Sequence, residues 1–332
     1  MALQFTTLVP AYKPKYLVEL LTAMRHQIVK PARIIISDDS PHQSFVVALT
    51  NEPLKSLIAD LKIEVVAGPR LGAYSNFRYL MHLYDKQTAL FHILCDDDIP
   101  YPSFYEQHLH AHSILSSRAV VSRRWTALES GQPISDLKPP SEVHAHPNRM
   151  FSLDAGLLFQ KTVALSMNWL GEFSNTTFSA EMVDELDDPS LDGICFTGLE
   201  DLGAFLKASL KSPIVYINEH LGYFRTSADQ HSANPMGQPM KWAFLAYLAL
   251  AIGARRLDKL SEIEYQLVLD RVCPLIQYHF GMEEDMKALC LNMTPLLRGD
   301  LNAVKNFLVL WHNYSGSALR PSLANIVSHA KQ

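Results

Sequence analysis

A short apolar run that ends in three consecutive carboxylates, FHILCDDD from Phe91 to Asp98, constrains the fold more than any other part of this sequence. A continuous apolar run of this length is typical of a parallel strand covered on both faces. In open α/β sheets, ligands bind at the carboxyl ends of such strands. Adjacent carboxylates repel one another unless a cation or hydrogen-bond donors take up the charge, and their hard oxygens suit Mg²⁺ or Mn²⁺. We therefore predict a metal and phosphate site at Asp96 to Asp98; the alternative is an acidic turn capping the helix that starts near Pro102.

Strand and helix patterns alternate along the first hundred residues. Short apolar runs predict strands, and the amphipathic stretches between them predict helices. The candidate strands are Phe5 to Val9, Arg33 to Ser37, Ile63 to Val66 and Phe91 to Cys95. This order predicts an α/β fold with a mostly parallel sheet flanked by helices. Such a sheet brings Pro10, Asp39 and the Asp96 to Asp98 run to one edge, so three separate parts of the chain converge on one crevice.

The middle of the chain continues the pattern less regularly. Strands are predicted at Ala119 to Ser122 and Pro213 to Ile217, and a helix at Val163 to Leu170. The segment between Ala127 and Arg149 is rich in Pro, Ser and His and lacks periodicity. It is either a binding loop or a plain exposed excursion. The acidic run Asp184 to Asp188 predicts a solvated loop, with a second metal site as the alternative.

Beyond about Pro239 the pattern becomes helical, without clear strands. We therefore expect an α/β domain over residues 1–235 and an α-helical C-terminal subdomain over residues 236–332. The apolar stretch Trp242 to Ala254 is too short to cross a bilayer, which takes about twenty residues. It predicts a core helix, with an interfacial membrane helix or an oligomer contact as the alternatives.

Composition narrows the class of protein. The chain is 48% apolar and 19% charged, which suits a packed core and not a disordered chain. A net charge of −5 and the absence of a Lys/Arg-rich block argue against a nucleic-acid partner. The four cysteines are scattered and form no C-x-x-C pair, which indicates a reducing compartment. The first residues show no signal-peptide pattern, so we expect a cytoplasmic protein.

Several common catalytic motifs are missing from the sequence. It has neither the Walker pattern nor the dinucleotide pattern G-x-G-x-x-G, so neither a P-loop nucleotidase nor a Rossmann dehydrogenase is supported. The nucleophile elbow G-x-S-x-G is also absent. His108, His110 and His112 alternate, but on a helix His110 points away from the other two, which favours a partly exposed helical face over a metal site.

Six short motifs follow one another in the sequence. They are LVPAYK at Leu8 to Lys13, IIISDDS at Ile34 to Ser40, G-x-x-x-N at Gly72 to Asn76, LCDDDIPYPSF at Leu94 to Phe104, GLEDLG at Gly198 to Gly203 and FRTSADQHS at Phe224 to Ser232. In this order they resemble the motifs of family-two glycosyltransferases, which are inverting enzymes of the GT-A fold that use nucleotide sugars. The resemblance runs from Phe5 to about Ser232. It implies a Rossmann-like GT-A catalytic domain.

The resemblance implies a binding site for a donor nucleotide. Asp39 would accept a hydrogen bond from a base N–H, which uracil, thymine and guanine offer and cytosine does not. UDP is the favoured nucleotide, and Asp96 would lie near its ribose. The expected nucleotide-binding residues are Pro10, Ala11, Tyr12, Asp39, Arg70, Asn76, Asp96 and Asp97.

The resemblance also implies a metal-assisted displacement. Asp98 would reach a Mn²⁺ or Mg²⁺ ion that bridges the donor phosphates and neutralises the leaving diphosphate. His231 would contact this metal, and Arg225 would brace the diphosphate. Asp201 would be the general base that deprotonates the acceptor hydroxyl, while Glu200 contacts the acceptor.

Two residues depart from the family pattern. Lys13 stands where the family commonly has Asn, and Asp97 makes a triple acid where a small residue is usual. The triple acid leaves open which two of Asp96, Asp97 and Asp98 face the metal.

These features predict a metal-dependent inverting glycosyltransferase that moves one sugar from a nucleoside diphosphate to an acceptor hydroxyl. The tryptophan motif of processive polymerases is missing, which indicates single-sugar transfer. The acceptor would be a bacterial glycan, a lipopolysaccharide or other lipid-linked acceptor, or a glycoprotein. The C-terminal helices would shape the acceptor side or form a homodimer, and peripheral contact with the inner membrane is a further possibility. A non-catalytic GT-A scaffold and a two-metal nucleotidyltransferase are the alternatives.

Overall fold

The computed structural model describes residues 3–227, 234–316 and 322–330. Its strands are β1 Phe5–Ala11, β2 Arg33–Asp38, β3 Ile63–Ala67, β4 Leu90–Ile93, β5 Ile99–Pro100, β6 Ala119–Ala127, β7 Pro133–Asp136, β8 Met150–Leu153, β9 Thr176–Ser179, β10 Ser190–Leu191, β11 Ile194–Cys195 and β12 Ile214–Arg225. Its α-helices are α1 Leu17–Arg25, α2 Ser44–Thr50, α3 Leu54–Leu57, α4 Ala73–Leu83, α5 Phe104–Ile114, α6 Ser141–His144, α7 Ala155–Lys161, α8 Met182–Asp187, α9 Glu200–Lys211, α10 Gln238–Arg256, α11 Glu262–Phe280, α12 Lys287–Leu297, α13 Leu301–Ser315 and α14 Leu323–Ala330.

The central sheet has the order β3-β2-β1-β4-β9-β6-β12-β5, with β7 added to β6 and β8 added to β12. The first four strands in this order are parallel to one another, and β6 is parallel to β12. Strand β9 joins these two parallel parts because it is antiparallel to both β4 and β6. The predicted α/β fold with a mostly parallel sheet is confirmed.

Apolar residues on both faces explain why the central strands are buried. In β2, Ile35 packs in one core cluster, whereas Ile34 and Ile36 pack in the cluster on the other face. Leu8 and Val9 of β1 divide between the same two clusters. Successive side chains of a strand point to opposite faces, so a continuous apolar run fits only a strand covered on both sides.

Two local predictions were wrong. The helix expected at Val163 to Leu170 is a series of turns, and the helix lies earlier, at α7. Asp154 explains this start, because its side chain accepts a hydrogen bond from the N–H of Leu157 at 2.9 Å and caps the helix.

The acidic run Asp184 to Asp188 forms most of helix α8 and its end instead of a solvated loop. Basic side chains from other elements compensate its charge: Arg78 contacts Asp187 at 2.7 Å, and Lys86 contacts Asp184 at 2.7 Å. These basic partners are about a hundred residues away in the sequence, so the residues next to the acidic run did not reveal them.

The segment from Ala127 to Arg149 contains two short elements, β7 and α6. Asp136 at the end of β7 is paired with His220 at 3.1 Å and with Arg123, which fastens this excursion to the sheet. In the histidine run on α5, His110 is exposed and points away from the other two, as predicted. The predicted partly exposed face was wrong for His108, which is fully buried; His108 and His112 both contact the hydroxyl of Thr177.

Helix α10 contains the predicted core helix and packs against the small β10-β11 sheet and against α11 and α13. Its buried residues belong to the same apolar cluster as Leu8 of β1 and Phe91 and Ile93 of β4. Beyond Arg225 the described residues form helices and connections, without a strand. None of the described helices is long and apolar enough to cross a membrane. The boundary near residue 235 stays a prediction.

Helix α13 is anchored through Trp311. This side chain is 1% exposed, and its Nε1 donates to the carbonyl of Cys195 at 2.7 Å. We expect Trp311→Ala to lower the free energy of unfolding by about 3 to 5 kcal/mol, because a large buried ring and a hydrogen bond are lost. Val309→Ala on the exposed side of the same helix should change it by less than about 0.5 kcal/mol. Urea unfolding measures both, and equal effects would mean that α13 is not part of the cooperative core.

Candidate active site

The ends of β1 and β2 form one side of the crevice. The N–H of Asp39 donates to the carbonyl of Ala11 at 2.8 Å, which joins the two strands where they end. The Asp39 carboxylate accepts the N–H of Arg70 at 2.6 Å. Burial raises the pKa of Asp39 above its ordinary value, although the hydrogen bond from Arg70 opposes this. Asp39 therefore lies between the end of β1 and the loop of Arg70; its role in binding a base stays a prediction.

The neighbouring Asp38 has a structural role. Its two carboxylate oxygens accept backbone N–H groups of Ser40 at 3.0 Å, Phe45 at 2.9 Å and Val46 at 3.1 Å. These bonds satisfy the amino end of helix α2, whose first N–H groups have no partner within the helix. Of the acidic pair, only Asp39 thus lies towards the loop of Arg70.

Asp96 connects the end of β4 to the end of β1. One of its oxygens accepts the N–H groups of Tyr12, at 2.5 Å, and of Lys13. Burial raises the pKa of Asp96 to about 6, although both hydrogen bonds favour the charged form. The Tyr12 ring beside this contact is 59% exposed and is free of the core. The segment around Tyr12 and Asp96 therefore forms the rim of the crevice.

Asp97 and Asp98 are compensated in different ways. The ammonium of Lys13 contacts Asp97 at 2.5 Å. Asp98 accepts the N–H of Arg225 at 3.0 Å with Oδ1, while its buried Oδ2 makes no hydrogen bond to a described residue. Burial, and then the charge of Asp97, raise the pKa of Asp98 well above its ordinary value; the nearby Ser174 hydroxyl opposes this without a well-formed bond to Oδ2.

The guanidinium of Arg225 is enclosed by protein. Its side chain is 1% exposed, and Nε donates to the carbonyl of Asp97 at 2.9 Å. Nη2 contacts Glu19 at 2.7 Å, and the group lies over the rings of Tyr16, at 4.3 Å, and Tyr223, at 5.3 Å. In this conformation Arg225 holds the acidic segment in place. Its expected contact with a diphosphate stays a prediction.

The expected acidic pair lies at the start of helix α9. The N–H of Gly198 donates to Glu200 at 3.0 Å, and the N–H of Phe173 donates to Asp201 at 2.9 Å. Burial, and then the charge of Glu172, raise the pKa of Asp201 well above its ordinary value. The neighbouring residue Ser174 accepts the N–H of Cys95 at 3.1 Å, so the segment of Phe173 and Ser174 contacts both Asp201 and the start of the acidic run.

Two residues of this region were not predicted from the sequence. Arg124 of β6 is 6% exposed and makes a bidentate ion pair with Glu172 at 2.8 and 2.5 Å. Its guanidinium also lies 4.7 Å from the ring centre of Phe224. Together with Asp98, these residues line a cavity of about 10 Å³, which is about the space of one water molecule. The adjacent Arg123 and Arg124 at the end of an apolar strand were the available signal.

The remaining expected nucleotide-binding residues lie along the same edge. Pro10 and Ala11 end strand β1. The Asn76 side chain is buried and donates to the carbonyl of Ser37 at 3.2 Å, which ties α4 to the end of β2. Arg70 is exposed and has a positive φ of 54°. His231 lies outside the described residues. The crevice thus contains the other predicted site residues, although their roles stay predictions.

The acidic segment suits a divalent cation that is bound jointly by the protein and by substrate phosphates. The described residues contain no group of three or more His, Cys, Asp or Glu side chains arranged to hold a metal by themselves. However, Asp98 Oδ2 is a buried hard oxygen without a hydrogen bond among them. Mg²⁺-type ions commonly use one or two carboxylates together with substrate phosphates. The donor set therefore suits a cation that arrives with a diphosphate.

Solved structures of other proteins have this fold. S. aureus TarS matches with a TM-score of 0.56 and 12% identity over 99% of this chain, and the chain spans 54% of its length. S. aureus TarS 1-349 in complex with UDP-GlcNAc matches with a TM-score of 0.54 and 12% identity, over 94% of this chain and 91% of that one. The mannosyltransferase PcManGT from Pyrobaculum calidifontis, in complex with GDP-Man and Mn²⁺, gives 0.51 and 11% over 93% and 86%.

No protein-family model and no curated protein matches the sequence. At these identities the structural matches establish the fold, and they confirm the predicted GT-A architecture.

The raised pKa of Asp96 predicts how the stability of the fold depends on pH. Since the folded value is about 6 and an unfolded aspartate has about 3.9, burying the charged form costs free energy above pH 6. This cost disappears as the pH falls towards and below 4. Asp96→Asn should therefore raise the free energy of unfolding by about 1 to 3 kcal/mol at pH 7.5, and by much less at pH 4.

Urea unfolding in EDTA at both pH values measures this difference. Asp184→Asn is the control, because that side chain is 77% exposed on α8 and should have little effect at either pH. A loss of stability in Asp96→Asn at pH 7.5 would show that its hydrogen bonds outweigh the burial of its charge.

Proposed function

We propose that this chain is a glycosyltransferase that moves one sugar from a nucleoside diphosphate to an acceptor hydroxyl with inversion. The observation that carries the proposal is that Asp39 and the Asp96 to Asp98 run follow β2 and β4, which flank β1 in the parallel part of the sheet, and that Asp96 contacts the end of β1. Ligands bind at the carboxyl ends of such strands in open α/β sheets. The structural neighbours bound to UDP-GlcNAc and to GDP-Man support a nucleotide-sugar donor.

The donor nucleotide would lie along the ends of β1 and β2. Asp39 would accept the imide N–H of the base, and uracil and guanine both offer this donor. The exposed ring of Tyr12 and the buried carboxyl of Asp96 would flank the nucleoside. Because both neighbours carry bases with an imide N–H, their ligands support this assignment without choosing between UDP and GDP.

The diphosphate would lie over the acidic segment. Asp98, together with Asp97 or His231, would hold Mn²⁺ or Mg²⁺. When bound, this ion supplies Lewis-acid stabilisation of the leaving diphosphate. The Mn²⁺ in the mannosyltransferase neighbour supports the choice of metal. The residues of this chain contribute by fixing the carboxylates before the donor binds, through the contacts of Asp96 with β1 and of Asp98 with β12.

Asp201 would act as the general base. Burial, and then the nearby Glu172, raise the pKa of Asp201, which increases the affinity of this carboxylate for a proton. Its hydrogen bond from the N–H of Phe173 fixes one oxygen and leaves the carboxyl oriented. Transfer by direct displacement would then take the acceptor proton onto this carboxylate as the acceptor oxygen attacks the sugar.

The acceptor would be a bacterial glycan, a lipid-linked saccharide or a glycoprotein. The C-terminal helices begin beside the catalytic segment, since a Cβ at Gly198 would lie 2.7 Å from Cβ of Trp242. This position supports a role of the helices in shaping the acceptor side. We also propose that these helices form a homodimer contact. The protein would be cytoplasmic, with peripheral contact to a membrane.

The first test is nucleotide binding. Thermal shift with UDP, dTDP, GDP and CDP, each with and without Mn²⁺, should give metal-dependent stabilisation by a nucleotide whose base has an imide N–H. At a ligand concentration a hundred times Kd the stabilisation is about 2.7 kcal/mol. Asp98→Ala should lose the metal-dependent part. Asp188→Ala, at a carboxylate 66% exposed beyond α8, is the control and should keep it. No response to any of the four nucleotides would contradict the proposal.

The second test concerns the base. Asp201→Asn should lower kcat about 10²- to 10⁴-fold while the Kd for UDP stays unchanged, because the amide cannot take a proton. Asp258→Asn, at a side chain 93% exposed, should keep the parent activity. Activity is measured as nucleoside diphosphate released in the presence of an acceptor. Full activity of Asp201→Asn would remove the base assignment.

A further inference from the structure

Lys13 occupies an unusual position in the acidic crevice. It follows β1, and both ends of the residue are held by the carboxylates after β4. Its N–H donates to Asp96, and its ammonium contacts Asp97 at 2.5 Å. Burial alone would lower the pKa of Lys13, but the hydrogen bond and charge of Asp97 and the charge of Asp96 raise it above its ordinary value. The side chain therefore carries a positive charge among the acids.

The other carboxylates of the run are stabilised by backbone groups. Asp96 accepts two N–H groups from the end of β1, and Asp98 accepts the N–H of Arg225. Asp97 instead contacts a flexible cationic side chain. Replacing this contact requires only rotation of a lysine side chain, whereas the backbone contacts of Asp96 and Asp98 change only if the strands move.

The exposure of the nearby cations separates their possible roles. The guanidinium of Arg225 is 1% exposed and is occupied by Asp97, Glu19 and aromatic rings. The Lys13 side chain is 24% exposed, and its ammonium contacts Asp97, whose side chain is 10% exposed. Of the two, Lys13 is the cation that an incoming ligand can reach without unpacking the sheet.

We propose that Lys13 binds the diphosphate of the donor and that Asp97 is its counter-ion in the absence of donor. A lysine ammonium is a compact charge with three donors, which suits phosphate oxygens. When the diphosphate arrives, the ammonium moves from Asp97 to a phosphate oxygen, and Asp97 becomes available to a cation. This inference rests on the proposed function. It adds a donor-binding residue at a position where the sequence departs from the family pattern.

The test compares the affinity for a diphosphate with the affinity for the nucleoside alone. Calorimetry measures this ratio for the parent and for Lys13→Met. The ligand pairs are UDP with uridine and GDP with guanosine, and each pair is measured in EDTA and in Mn²⁺. We expect Lys13→Met to weaken diphosphate binding at least about tenfold, about 1.4 kcal/mol, with unchanged nucleoside binding. Lys13→Arg should retain part of the ratio because it keeps the charge.

Lys15→Met is the matched control. Lys15 is two residues away and also contacts a carboxylate, but its partner Glu129 lies outside the acidic run. This variant should keep the parent ratio. Asp97→Asn is an independent test, because it releases the Lys13 ammonium. In EDTA, this variant should bind UDP more tightly than the parent does.

The outcomes separate this inference from the proposed function. If the parent binds UDP or GDP and Lys13→Met binds it equally well in both buffers, Lys13 only compensates Asp97 and the inference is wrong. If nucleoside and diphosphate weaken equally, Lys13 acts by shaping the loop at Tyr12, which also overturns it. If the parent binds none of these ligands with or without Mn²⁺, the proposed function itself fails.

Discussion

The accommodation of three adjacent carboxylates after β4 is the constraint on which the arrangement of this crevice depends. Each carboxylate has a different partner: backbone N–H groups for Asp96, the Lys13 ammonium for Asp97 and the N–H of Arg225 for Asp98. These partners come from the ends of β1 and β12. The compensation of the charge therefore links three strand ends that are far apart in the sequence. These links add to the ladder that already pairs β1 with β4.

In the same arrangement, burial makes the charged forms of several acids unfavourable when no ligand is bound. Burial raises the pKa values of Asp39, Asp96, Asp98 and Asp201, and neighbouring carboxylates add to the effect at Asp98 and Asp201. Groups shifted in this way cluster at functional sites, where a ligand or cation supplies the missing stabilisation. Structural acids look different: Asp38 accepts three backbone N–H groups and caps a helix. This contrast between neighbours Asp38 and Asp39 separates structural acids from candidate functional acids.

The sequence could predict the parts of the site that follow from strand order. Ile34 to Ile36 identifies a doubly covered strand, and the carboxylates after it and after Cys95 must then share one edge. It could not predict the pairing of Arg124 with Glu172, because those residues are 48 positions apart and meet only through tertiary packing. The burial of Arg225 was hidden for the same reason, since Glu19 and the two tyrosine rings come from other elements. The capping of α7 by Asp154 was local and readable, but the apolar run beyond it was mistaken for the helix.

The C-terminal helices also help to position Asp201, the candidate base. The segment before Asp201 passes so close to helix α10 that Gly198 has a positive φ of 97° and no room for a Cβ beside Trp242. A few residues earlier, the carbonyl of Cys195 accepts the indole N–H of Trp311 in α13. Both contacts lie on the chain that leads into Glu200 and Asp201, so the position of the base is set from the helical side as well as from the sheet. A change in the packing of α10 or α13 is thus expected to move the candidate base relative to Asp98. The helical region also reaches the other side of the candidate site, because Ile326 and Ala330 of α14 pack with Tyr79 of α4, and Leu71 packs against this cluster. The C-terminal helices therefore support both the segment before Asp201 and the segment next to Arg70.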